Sequence, residues 1–131
     1  MPELASCITW FYYEDIAAAE MFYRETLGLA LVEDQGWAKI LEAGGSAFVG
    51  LVDGERGFCK PRGESAVLLT FVVEDVAGWY ERLRQAGVPI LRELAEHAEI
   101  QVRCFFIRDP GGYAVEIQQF LDPAVAKRFV R

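Results

Sequence analysis

Within "FFIRDPGGYAVEIQQF", residues 105–120, one residue does not suit its surroundings. Glu116 stands between Val115 and Ile117, in a run whose alternation reads as a half-buried strand. Desolvating a carboxylate there costs several kcal/mol unless a partner meets it. Such an acid is a hydrogen-bonded structural group, a ligand anchor, a metal ligand or a general base. Tyr12, Thr70 and Arg103 are the candidate partners for the structural reading.

Other chemistry-bearing residues are sparse. His97 is the single histidine, in "ELAEHAEIQ", which reads as a loop or strand edge. That acidic cluster reads as a solvated edge before it reads as a metal site. Cys7, Cys59 and Cys104 are far apart and odd in number, with no C-x-x-C pair, so neither a zinc knot nor a disulfide framework is expected. Cys104 reads as an inert core thiol. No Gly-rich phosphate loop opens a helix, and no G-x-S-x-G is present. Gly44-Gly45 and Gly111-Gly112 read as hairpin turns.

The elements that must position Glu116 come from a repeat. "TWFYYEDIAAAEMFYRETLGLAL" (9–31) and "LTFVVEDVAGWYERLRQAGVPIL" (69–91) share a plan. Each opens with a β-branched and aromatic strand. Each reaches Glu-Asp, where Asp15 or Asp75 is suited to cap a helix. Ile16, Ala19 and Tyr23 match Val76, Trp79 and Leu83 at an offset of 60. Each helix stops at a glycine, Gly28 or Gly87. Three strand-like pieces follow each helix, so each half reads βαβββ. The expected organisation is one domain over 1–131: module one about 5–52, a Gly- and charge-rich linker 53–64, module two 65–120 and a tail 121–131 with a short helix after Pro123.

Composition sets the bounds. The 131 residues are 53% hydrophobic and 13% aromatic, enough for a packed core. No apolar run reaches the roughly 18 residues of a membrane span. No basic start leads into an apolar stretch, so a signal peptide is not expected. Net charge is −7 without clustered Lys and Arg, which disfavours nucleic acid and tolerates a neutral or cationic small molecule. The expected setting is a reducing cytoplasm.

The doubled βαβββ plan, with "EDIAAAEMFYRETLGL" and "IRDPGGYAVEIQQF", resembles the vicinal oxygen chelate superfamily of glyoxalase I, bleomycin-resistance proteins and extradiol dioxygenases. The resemblance implies an α+β fold whose two βαβββ modules form an open, U-shaped barrel around a cavity, commonly in a homodimer. In metal-using members the last strand's glutamate, here Glu116, is a ligand. The other ligands fall here at Ile8 (Cys7 with a slip of one), Leu68 and Val49 or Gly50, none of them a good donor for a divalent ion at its position. Neither a metal site nor a cofactor is therefore expected.

Strand alternation lines the implied cavity with Trp10, Tyr12, Leu68, Thr70, Ala114 and Gln118 around Glu116, with Trp37, Phe48 and Phe105 as additions. The plainer reading of each aromatic is core. The function this implies is a small-molecule-binding protein of the bleomycin-resistance type, holding an aromatic or cationic ligand without catalytic metal. The alternative is a lyase, isomerase or dioxygenase of the same superfamily with a relocated metal, or with Glu116 as general base.

Overall fold

The computed structural model describes residues 1–129. The described chain divides into two compact units, residues 1–63 and 64–129. The first contains β1 (Cys7–Tyr13), α1 (Ile16–Met21, continuing as a π-helical turn over Phe22–Thr26), β2 (Ala30–Asp34), β3 (Ala38–Glu42) and β4 (Ala47–Asp53). The second contains β5 (Leu68–Val72), α2 (Val76–Gln85), β6 (Ile90–His97), β7 (Val102–Arg108), β8 (Ala114–Phe120) and α3 (Pro123–Ala126). The fold class is α+β, with two βαβββ modules.

The sheets share one topology. Their orders are β1-β4-β3-β2 and β5-β8-β7-β6. In each, the first strand runs parallel to the last, and the last two pairings are antiparallel. The helix after the first strand supplies the crossover that a parallel pair requires.

Each helix begins where an aspartate satisfies a free backbone donor. Asp15 Oδ1 accepts from the Ala18 amide at 3.1 Å, and Asp75 Oδ1 from the Gly78 amide at 3.0 Å. The helices end differently. Gly28 is the thirteenth residue after Asp15, whereas Gly87 is the twelfth after Asp75. Module one absorbs the extra residue as the π turn, in which the Leu27 amide donates to the Phe22 carbonyl.

In module one, Phe11 and Tyr13 of β1, Ala19 and Tyr23 of the helix and Leu41, Val49 and Leu51 of the sheet are buried. In module two, Val76 and Leu83 of α2 are buried with Phe105, Ile107, Val115 and Ile117. Alternation leaves the opposite face of each sheet to Trp10 and Tyr12 in one module and to Thr70, Glu116 and Gln118 in the other.

The β7–β8 hairpin fixes the register around Glu116. Asp109 Oδ1 accepts from the amides of Gly111 and Tyr113, each at 2.9 Å. The closed turn sets Phe106 opposite Glu116 and Cys104 opposite Gln118.

No helix among the described residues is long and apolar enough to cross a membrane.

Candidate functional site

Glu116 is 8% exposed, and both of its carboxylate oxygens accept hydrogen bonds within module two. Thr70, its register partner on β5, donates from Oγ1 to Oε1 at 2.8 Å. Gln118 donates from Nε2 to Oε2 at 3.2 Å. The buried Cys104 thiol adds a hydrogen bond from β7. Burial, then the bond to Glu116 and its negative charge, push that thiol up from 9.0 to about 11, with Arg92 acting weakly in the other direction. Cys104 is thus a protonated donor, not a nucleophile.

The same face extends across the sheet. Phe106 lies opposite Glu116, and Arg92 of β6 lies opposite Phe106 with its guanidinium carbon 5.6 Å from the ring centroid. A row of Thr70, Glu116, Phe106 and Arg92 crosses the four strands.

Module one presents a different face. Trp10 lies opposite Gly50 in the parallel β1–β4 pair, the position that Thr70 and Glu116 hold in module two. The Trp10 indole covers Gly50 so closely that a Cβ built there would collide with the ring. Trp10, Tyr12, Trp37 and Phe58, with Gln35 and Val52, line a hollow of about 170 Å³. Whole-ligand pockets usually measure about 300–1,000 Å³, so this one suits a single ring system. Arg56 holds its guanidinium carbon 5.6 Å from the Trp37 ring centroid.

The expected site residues therefore sort by module. Trp10, Tyr12 and Trp37 come together in module one. Thr70, Glu116 and Gln118 come together in module two, with Leu68 two residues before Thr70, 47% exposed and opposite Ala114. Phe105 does not join them. It lies opposite Ile117, is fully buried and packs edge to face with Tyr80 of α2 at 5.0 Å. The aromatic on Glu116's face is its neighbour Phe106, because adjacent strand residues point to opposite faces.

Of the candidate structural partners, Thr70 bonds Glu116, whereas Arg103 pairs with Glu96 at 3.0 Å. Cys104 is the buried thiol the sequence implies, but its bond to Glu116 escaped sequence reasoning, as did Arg92, Phe58 and Arg56. The hairpin turn "DPGG" carried the signal for Cys104 and Phe106, since it fixes their register against β8.

The residues present do not fit the metal site of metal-using relatives. Ile8 and Leu68 offer hydrocarbon, and Trp10 fills the space that a side chain at position 50 would need. Among the described residues no three His, Cys, Asp or Glu side chains converge as a metal-binding group. His97 ends β6 opposite Val102.

The glyoxalase/bleomycin resistance protein/dioxygenase superfamily model matches residues 7–117. The uncharacterized protein YraH of Bacillus subtilis (strain 168) is 27% identical over 117 residues, spanning 82% of this chain and 91% of that protein. A glyoxalase/bleomycin resistance protein/dioxygenase from Nocardioides superposes with a TM-score of 0.76 at 19% identity, covering 94% of this chain and 87% of the other. A lactoylglutathione lyase from Agrobacterium tumefaciens superposes at 0.71 with 25% identity, covering 91% and 96%. With the doubled βαβββ plan, the Asp109 hairpin and Glu116 on the last strand, this chain belongs to the glyoxalase/bleomycin resistance protein/dioxygenase superfamily.

Proposed function

We propose that the chain is a small-molecule-binding member of its superfamily, taking a planar aromatic group in the module-one hollow without a catalytic metal. The observation that carries this reading is the Trp10 indole over Gly50. Where module two has a hydroxyl and a carboxylate, module one has a ring wall continued by Tyr12 and Trp37. Offset or edge-on ring contacts contribute about 0.5–1.5 kcal/mol beyond the area they bury. In this reading Glu116, held by Thr70, Gln118 and Cys104, is a fixed hydrogen-bond acceptor on module two's own open face. We further propose that the protein works as a twofold homodimer in a reducing cytoplasm. Its free thiols support the compartment, and exposed Leu68, Leu91 and Ile100 support an apolar self-contact.

One observation favours a second reading, a lyase, isomerase or dioxygenase: Glu116 stands where metal-using relatives place a ligand or base. A thermal-shift screen of planar aromatics and divalent metals separates the two, run on wild type, Trp10→Ala and Glu116→Gln. The binding reading expects aromatic compounds to stabilise wild type and Trp10→Ala to weaken them about tenfold. Stabilisation by a metal that disappears in Glu116→Gln would overturn it. Sedimentation at tens of micromolar tests the dimer, which a stable monomer would exclude.

A further inference from the structure

The module-one hollow has a rim as well as walls, and Arg56 stands there over Trp37. The segment from the end of β4, "DGERGFCKPRG" (53–63), carries Arg56, Lys60 and Arg62 against Asp53 and Glu55, while the whole chain stands at −7. Gly57 lets this loop lie against the wall, since a Cβ there would run into Tyr12 and Val52. Lys60 is engaged internally, its Nζ donating to the Gly54 carbonyl at 2.8 Å. The nearby acid Asp34 is likewise engaged, accepting from Lys39 Nζ at 3.0 Å.

Two rim residues remain uncommitted. Phe58 is 99% exposed although it lines the hollow. Both faces of this ring are open to a second ring, with which it can pack offset or edge-on. Arg56 sits over Trp37, and no carboxylate pairs with it among the described residues. A stacked guanidinium uses its face for the indole, and its N–H donors lie in the plane of the group, where they suit a carboxylate. A cationic ligand would instead meet like charge at the rim.

Resting on the ring-binding reading above, we propose that the ligand of this hollow is a planar aromatic acid. Its ring lies between the Trp10 and Tyr12 wall and Phe58, and its anionic group is met by Arg56. The cation tolerated by net charge alone gives way to an anion, because Arg56 is the charged group held over the aromatic wall, and salt screens charges farther off.

The test uses three probes of one ring system: 2-naphthoate, 2-naphthylmethanol and 2-naphthylmethylammonium. Binding is followed by quenching of tryptophan fluorescence in wild type, Arg56→Gln and Phe58→Ala. In wild type the naphthoate should bind at least about tenfold more tightly than the ammonium, the scale of a charge-assisted hydrogen bond. Arg56→Gln should abolish that preference. Phe58→Ala should weaken all three by a similar factor and leave the preference intact. An ammonium that binds as tightly as the naphthoate, or a preference that survives Arg56→Gln, overturns the assignment of charge while leaving the ring site standing. Failure of all three probes to bind overturns the ring site itself, and this inference with it.

Discussion

The two modules repeat one fold with two chemistries. In module two the row across the open sheet face is Thr70, Glu116, Phe106 and Arg92. The corresponding row in module one is Trp10, Gly50, Ile40 and Glu33. On the helix-facing side both modules bury close-packed apolar side chains, and both helices start from an aspartate cap. Packing constrains the buried face, where each volume change is felt by its neighbours. The open face is freer, so a large residue over a glycine in one copy corresponds to a hydroxyl on a carboxylate in the other. The pair at rows 10/50 and 70/116 changes as a unit: the indole requires the missing Cβ, and the carboxylate requires the donor.

The largest effect should come from breaking that unit. Gly50→Glu places a charged side chain where the indole lies, combining overpacking with desolvation, and should cost more than about 3 kcal/mol. The double variant Trp10→Thr/Gly50→Glu recreates the module-two pair and should recover at least half of that loss. Urea denaturation measures both. Strictly additive losses would show that the two positions are not coupled.

Glu116→Leu should cost much less, within about 1 kcal/mol, because half-buried Thr70 and Gln118 can turn their donors to water. A loss near 3 kcal/mol would mark Glu116 as a structural acid and make the two open faces alike in role.

Cys104 gives a pH-dependent contrast. Its folded value of about 11 lies above the ordinary 9.0, so its contribution to stability is complete below pH 9 and is lost as pH rises toward 11. Cys104→Ala should therefore flatten the stability profile between those limits. At pH 8, iodoacetamide should label the exposed Cys7 and Cys59 and spare Cys104. In Glu116→Gln the thiol's value should fall yet stay above 9.0, since burial is the larger cause.

The smallest effect lies on the acid side of module one. The Gly36 amide and then Lys39 hold Asp34 below its ordinary 3.8. Its contribution is present above that value and fades as pH falls through the lower folded one. Lys39→Gln should reduce that acid-side slope slightly in a denaturation series between pH 2 and 5. An unchanged slope would assign it to other carboxylates.

The repeated elements, both caps, both glycine stops and the alternation of β1 and β8 were legible because each is written in local spacing. The π turn was legible only by counting, since the two helices differ by one residue between cap and glycine. Cross-strand partners were harder. Phe105 and Phe106 are interchangeable by composition, and only the hairpin register puts Phe106 on Glu116's face. Cys104 looked solitary because its partner is two strand positions away on the neighbouring β8. Arg56 and Phe58 lie in a loop whose path depends on Gly57 meeting Tyr12, a long-range contact without local periodicity.

In module one the Trp10 ring occupies the space that a metal-binding side chain at position 50 would need. Elemental analysis of the purified protein tests whether that arrangement excludes a metal. Far less than one zinc, iron, nickel or manganese per chain is expected, in wild type and Glu116→Gln alike. One metal per chain in wild type, absent from Glu116→Gln, would contradict it.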